Sequence, residues 1–223
     1  MPGLVRLLLI VAAVPVLLGA QAPQPSTADP NALAQRLQSR YQGIRDFSAD
    51  FSQTYRGGVL KTKTSELGTV LVKKPGLMKW LYTKPERKEF VSDGKRIYWY
   101  MPEDKQVTIS DVPEGNQAST PLLFLSGRGD IARDFTASSA DTGVPGAVGL
   151  KLVPRRAEPD YEFLVVALDP VSLQIRALTT RDRQGGESTL IFTNMKENRG
   201  VSDKEFVFRP PRGVRVISDA PPK

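Results

Sequence analysis

The sequence predicts a mainly β protein in which an antiparallel meander curls into a barrel or half-barrel. Three observations carry this expectation. From Phe47 the apolar residues alternate at period two, with Phe47, Ala49 and Phe51 set against Ser48, Asp50 and Ser52. A dozen further short runs follow, punctuated by turn signals such as Lys74-Pro75-Gly76, Ser92-Asp93-Gly94-Lys95, Pro102-Glu103-Asp104, Asp169-Pro170 and Gln184-Gly185-Gly186. Helical patterning is confined to two segments, and no alternation of strand and helix suggests a parallel α/β fold. A meander that exceeds about ten strands tends to close on itself.

Taken in order, the first element is a leader. Arg6 supplies a positive start, and residues 7–18 form an almost unbroken apolar stretch of twelve, too short to span a bilayer comfortably. Small residues follow at Ala20-Gln21-Ala22, so residues 1–22 are expected to be a cleavable signal peptide cut after Ala20 or Ala22. Residues 23–30, rich in Pro, Ser and Ala, read as a tether with too little apolar content to fold alone. Residues 31–223 then form one domain with no second long apolar segment, which predicts a soluble exported protein.

Asp29-Pro30 is an N-cap followed by Pro at the first helical position. Leu33, Leu37, Tyr41 and Ile44 recur at helical spacing, predicting an amphipathic helix over 31–45. After the strand that begins at Phe47, strands are expected near 59–63, 66–73, 77–82, 88–92, 96–101, 105–110, 134–140, 148–153, 161–169, 173–181, 187–195 and 214–217. Several are apolar on both faces: Val70 and Val72 against Leu67 and Leu71, and Met78, Trp80 and Tyr82 against Leu77 and Leu81. Such a sheet needs cover on both sides, from helices or from a bound apolar ligand. Thr120-Pro121-Leu122-Leu123-Phe124-Leu125-Ser126-Gly127 offers a short helix that is apolar nearly all round. It reads either as a plug or lid or as an ordinary core helix.

Composition narrows the chemistry. With no Cys, the chain has no disulfide framework, thiolate metal site, cysteine nucleophile or lipidated cysteine of its own. With no His, it lacks the side chain that most often serves as general base or transition-metal ligand. An enzyme is therefore not expected, although carboxylate pairs, Ser-Lys dyads and calcium sites stay open. The net charge is +7, or +6 once Arg6 leaves with the leader, and it suits anionic membrane surfaces or acidic partners. Nucleic acid is not expected, because Lys and Arg are interspersed with acids and no basic run of five appears.

An ordered set of segments resembles the periplasmic lipoprotein carriers of Gram-negative bacteria, the LolA family. They are residues 37–53 (LQSRYQGIRDFSADFSQ), residues 68–82 (GTVLVKKPGLMKWLY), the VSDGK turn at 91–95 with Tyr98-Trp99-Tyr100, the Thr120-Pro121 apolar helix, and FVFRPPRGV at 206–214. The resemblance implies a strongly curved, incomplete antiparallel β-barrel of about eleven strands, with a few helices lidding a hydrophobic cavity. It implies a monomeric periplasmic chaperone, without cofactor or catalysis. Its partners would be lipoprotein acyl chains, an inner-membrane lipoprotein-releasing ABC transporter (LolCDE type) and an outer-membrane receptor lipoprotein (LolB type). Val70, Val72, Trp80, Tyr82, Trp99, Leu122, Leu123, Phe124 and Leu125 would line the cavity, or equally suit a ligand-free core. Lys74 matches the position of an Arg that bonds lid-helix carbonyls and holds the empty form shut; otherwise it is a solvated turn lysine. A Lys there lacks the rigid guanidinium fork. Met78 falls where the family often has an aromatic residue that touches the transporter, and at strand spacing it suits plain core equally. A carrier or sensor of another amphiphile on the same fold is the alternative function.

Overall fold

The computed structural model describes residues 29–57, 62–112, 125 and 129–218. Helix α1 spans Pro30–Gln42, and the Asp29 carboxylate caps it by accepting from the Asn31 amide at 3.1 Å. Leu33, Ala34, Leu37 and Tyr41 form its buried stripe. The helix ends three residues before the expected boundary, where the Arg45 amide turns to the Asn198 side chain at 2.8 Å. Ile44 nevertheless stays in the core.

Twelve strands follow: β1 (Asp46–Arg56), β2 (Lys63–Lys73), β3 (Leu77–Lys84), β4 (Lys88–Asp93), β5 (Arg96–Met101), β6 (Gln106–Asp111), β7 (Phe135–Ser139), β8 (Val148–Pro154), β9 (Phe163–Leu168), β10 (Ile175–Arg181), β11 (Glu187–Glu197) and β12 (Arg215–Ser218). A one-turn helix α2 (Ile131–Asp134) precedes β7, and a 3-10 turn (Asp203–Phe206) precedes β12. All twelve belong to one sheet in the order β12-β6-β5-β4-β3-β2-β1-β11-β10-β9-β8-β7. With β12 and β7 at opposite edges, this is an unclosed barrel.

The fold class agrees with the sequence reading, with three differences in detail. Among the described residues the sheet has twelve strands rather than about eleven. The expected break between 59–63 and 66–73 does not occur within the described residues, because Lys63 to Lys73 pair continuously with β1. Ladder hydrogen bonding to a long neighbour outweighs the polar Lys63-Thr64-Ser65 interruption. The last pairing, β12 with β6, is parallel rather than antiparallel. Its cause lies in the C-terminal segment, which crosses the sheet's outer face before it reaches the edge. Phe206 is buried, and the Phe208 ring lies 5.3 Å from Tyr98 and 5.7 Å from Tyr100.

Curvature can be read from distances between rings. Phe192 on β11 and Trp80 on β3 are three strand steps apart, which a flat sheet would separate by about 14 Å. Their centroids lie 6.3 Å apart. Gly68 permits the approach: facing Phe51 on one side and Tyr82 on the other, it leaves room for the Phe51 ring, which sits 5.0 Å from Trp80 and 5.1 Å from Tyr82.

The outer face is covered less than its apolar content suggested. Leu67 and Ile191 are exposed, and Leu71 and Leu81 are half-buried. Lysines shield part of this face instead. Lys79 pairs with Glu89 at 3.2 Å, and the Lys151 ammonium lies 3.9 Å over the Phe163 ring. Among the described residues, no helix is long and apolar enough to cross a membrane.

Candidate functional site

Alternation on β1, β2 and β3 points Phe47, Ala49, Phe51, Val70, Val72, Met78, Trp80 and Tyr82 to the concave face, where they join β8–β11 residues in one apolar cluster. Helix α1 lays Leu33, Leu37 and Tyr41 on this cluster, and Leu125 enters it from a helical residue with no exposed surface. Among the expected lining residues, Val70, Val72, Trp80, Tyr82 and Leu125 are buried there together, and Trp99 packs half-buried against them. Leu122, Leu123 and Phe124 lie outside the described residues. Met78 is 1% exposed, so its side chain belongs to this core and offers no outward surface.

Two polar rims bound the apolar face. At one, Tyr82 donates to Gln53 at 3.3 Å, Gln53 donates to Ser188 at 3.0 Å, and Lys88 pairs with Glu66. The Lys88 ammonium stands 4.8 Å above the Tyr82 ring, and burial raises the Tyr82 phenol pKa above its usual range.

The other rim fastens the helices. The Lys74 ammonium donates to the Tyr41 carbonyl near the end of α1 and lies 3.5 Å from the Tyr41 ring centroid. Burial pulls the Lys74 pKa down to about 8, against the opposing pull of Glu197. The Tyr41 hydroxyl in turn donates to the Leu125 carbonyl at 2.5 Å. Burial, reinforced by Glu197 and opposed by Arg40, raises the phenol pKa and keeps this donor protonated. Arg40 Nη2 reaches both Glu197 oxygens, at 3.1 and 2.8 Å, while its Nε donates to the Ser172 carbonyl. These contacts tie α1 to β11 and to the turn before β10.

Lys74 is therefore not a solvated turn lysine: it bonds a carbonyl of α1, the helix that lies on the concave face, while the carbonyls of 120–124 and 126–128 lie outside the described residues. It braces Tyr41, and Tyr41 reaches Leu125. A single ammonium has no planar fork to spread over several carbonyls, and a tyrosine hydroxyl supplies the second arm. Sequence reasoning identified Tyr41 as a core position and missed its hydroxyl. It missed Arg40 and Glu197 altogether, since a pair 157 residues apart leaves no local signal.

Among the described residues the concave face is packed against α1 and Leu125. The cavity beneath the second rim, bounded by Tyr41, Ile44, Phe47, Leu125, Ile175 and Met195, measures about 10 Å³. That is room for about one water, whereas ligand sites run to roughly 300–1,000 Å³. Trp80 Nε1 is buried without a hydrogen-bond partner. A larger groove of about 640 Å³ on the outer face is open and mixed in character, with Asp50, Lys79, Asn194, Lys196 and Glu205 beside Leu71, Leu81 and Met195. No cluster of acidic side chains among the described residues could hold a metal ion.

Residues 42–209 match the sequence model of the family described as outer membrane lipoprotein carrier protein LolA. An outer-membrane lipoprotein carrier protein of Hahella chejuensis is 32% identical over 189 residues, covering 83% of this chain and 88% of that one. One of Methylococcus capsulatus is 30% identical over 184 residues, covering 82% and 86%. Among solved structures, an uncharacterized conserved protein of Thermus thermophilus superposes with a TM-score of 0.51 at 14% identity, covering 83% of this chain and 98% of that one, a likeness of fold alone.

Proposed function

Because the chain belongs to the LolA family of outer membrane lipoprotein carriers, we propose that its concave face carries lipoprotein acyl chains across the periplasm, from an inner-membrane ABC transporter to an outer-membrane receptor lipoprotein. The observation that carries this reading is an apolar concave face whose cover, Leu125, is held to α1 by the Tyr41 hydroxyl. Residues 1–22 serve as the export signal, and no covalent step is assigned to the protein.

The energetics suit a carrier with a covered apolar face. Moving a sixteen-carbon chain out of water is favourable by on the order of 10 kcal/mol, at about 0.8 kcal/mol per CH₂. A carrier that kept all of this could not release its load. Here part is spent on separating Leu125 and its neighbours from the concave face, so the net affinity is reduced by the cost of opening. On opening, Val70, Val72, Trp80 and Tyr82 exchange one apolar neighbour for another. Trp99 lines the half-buried edge. A transporter contact through Met78 would then belong to an opened form.

The test is to purify the mature protein from the periplasm, identify co-purifying lipid by mass spectrometry, and add the purified protein to spheroplasts loaded with lipoprotein. Bound acyl chains and release of lipoprotein into the medium are expected. A protein that recovers no lipid and releases no lipoprotein is not this carrier.

A further inference from the structure

The C-terminal segment that crosses the outer face carries a charge pattern the concave face does not use. We propose that residues 207–217 form a membrane-facing edge that holds the protein reversibly to a bilayer containing anionic phospholipid. This goes beyond the carrier reading and does not depend on what the concave face binds.

Between Val207 and Ser218 the chain has Arg209, Arg212 and Arg215 and no acidic residue, and all three arginines are exposed. Elsewhere Arg40, Lys73, Arg96 and Arg181 each face a carboxylate, whereas among the described residues Arg209 and Arg212 pair with none. Arg215 donates to the neutral Gln106 side chain, so its charge also stays uncompensated there. Its amide bonds the carbonyl of exposed Lys105 at 2.8 Å, which adds a fourth cation beside the three; Glu103 and Asp104, in the same turn as Lys105, offset part of the total. Apolar groups are interleaved with these charges. Val207 is 61% exposed and Val216 50%, a loss in water that a headgroup layer would recover.

The edge is presented from a fixed frame, so docking need not order it first. Buried Phe206 anchors one end, the Phe208 ring rests on Tyr98 and Tyr100, and pairing of β12 with β6 holds the other end. Pro210 and Pro211 lack amide protons, which disfavours an added β-strand as the partner along this stretch. Arginines three residues apart on an exposed strip instead suit mobile phosphates, which guanidinium groups bind in a fork and which impose no fixed spacing. The mature chain's charge of +6 acts in the same direction.

The experiment is co-sedimentation of the purified mature protein with vesicles of phosphatidylcholine alone and of an equal mixture with phosphatidylglycerol, at low and high salt. Two folded triple variants of equal net charge are compared, as checked by circular dichroism: Arg209→Gln, Arg212→Gln, Arg215→Gln at the edge, and Arg36→Gln, Arg155→Gln, Arg156→Gln on other exposed surface. Each cation at an anionic surface is worth about fivefold, so wild type should partition onto the mixed vesicles more than tenfold above phosphatidylcholine, an excess that salt removes. The edge variant should lose roughly tenfold or more, and the control variant only a few-fold. Equal partitioning of wild type onto both vesicles overturns the proposal, as does an equal loss in the two variants, which would reduce the effect to net charge. Binding to soluble polyglutamate as tight as to the mixed vesicles also overturns it, assigning the edge to an acidic protein. None of these failures touches the carrier reading, since the vesicles contain no lipoprotein and that reading stands or falls on the lipid and release assays above.

Discussion

Leu125→Ala separates a cover from a core. Leu125 has no exposed surface and lies beside a cavity that the substitution would enlarge. Truncating a buried Leu to Ala costs about 2–5 kcal/mol, and about 3 is expected here. If Leu125 belongs to a cover that lifts as a unit, that loss falls on the closed-to-open step rather than on the whole fold. The ratio of open to closed protein then rises on the order of 10²-fold, at about 1.4 kcal/mol per tenfold. Apparent affinity for an acyl probe rises by the same factor until the open form predominates. The assay pairs a fluorescent fatty-acyl titration with urea unfolding of the ligand-free protein. Tighter acyl binding with little change in the urea midpoint is the expected result. An unchanged or weaker affinity, with the full 3 kcal/mol appearing in global unfolding, would refute the reasoning and make Leu125 ordinary core.

Two further predictions concern the scaffold and its titration. Gly68→Ala should destabilise the protein by about 2–3 kcal/mol, since a Cβ there would lie 2.2 Å from the Leu81 carbonyl and 2.7 Å from the Phe51 ring; a urea midpoint equal to wild type would show that the strands part more easily than this packing implies. Stability should also rise between pH 8 and pH 10. Burial lowers the Lys74 pKa to about 8 from an ordinary 10.5, so across that window the unfolded chain binds the proton that the folded protein has released. Lys74 is only half-buried, so solvent screening keeps the gain modest. Above pH 10 the trend should reverse, because Tyr41, Tyr82 and Tyr161 are raised by burial and the unfolded chain ionises them first. Urea midpoints from pH 7 to 11 test both limbs; Lys74→Met should flatten the first, and superimposable curves for the two proteins would assign that rise elsewhere.

Much of the fold was legible because its signals are local. Phe47, Ala49 and Phe51 alternate, the SDGK turn closes β4 onto β5, and the Leu33-Leu37-Tyr41 stripe gives α1. The parallel seating of β12 was not legible, since it depends on where Phe206 and Phe208 cross the sheet. The concave lining was legible as a set of apolar positions. That they pack on one another beneath α1 and Leu125 was not, because apolar residues at period two look the same whether they face each other or a ligand.

From the sequence alone come the all-β meander, the lack of histidine and cysteine chemistry, an apolar face in need of cover and, through the order of its segments, the carrier family. Each follows from residue type and spacing, properties that the unfolded chain already possesses. Tertiary structure decided the rest: that Lys74 bonds Tyr41, that Tyr41 bonds Leu125, and that Arg40 reaches Glu197 from across the chain. These contacts join groups that only the curl of the sheet brings together, since hydrogen bonds and ion pairs depend on distance in space and leave no periodic trace in the order of residues.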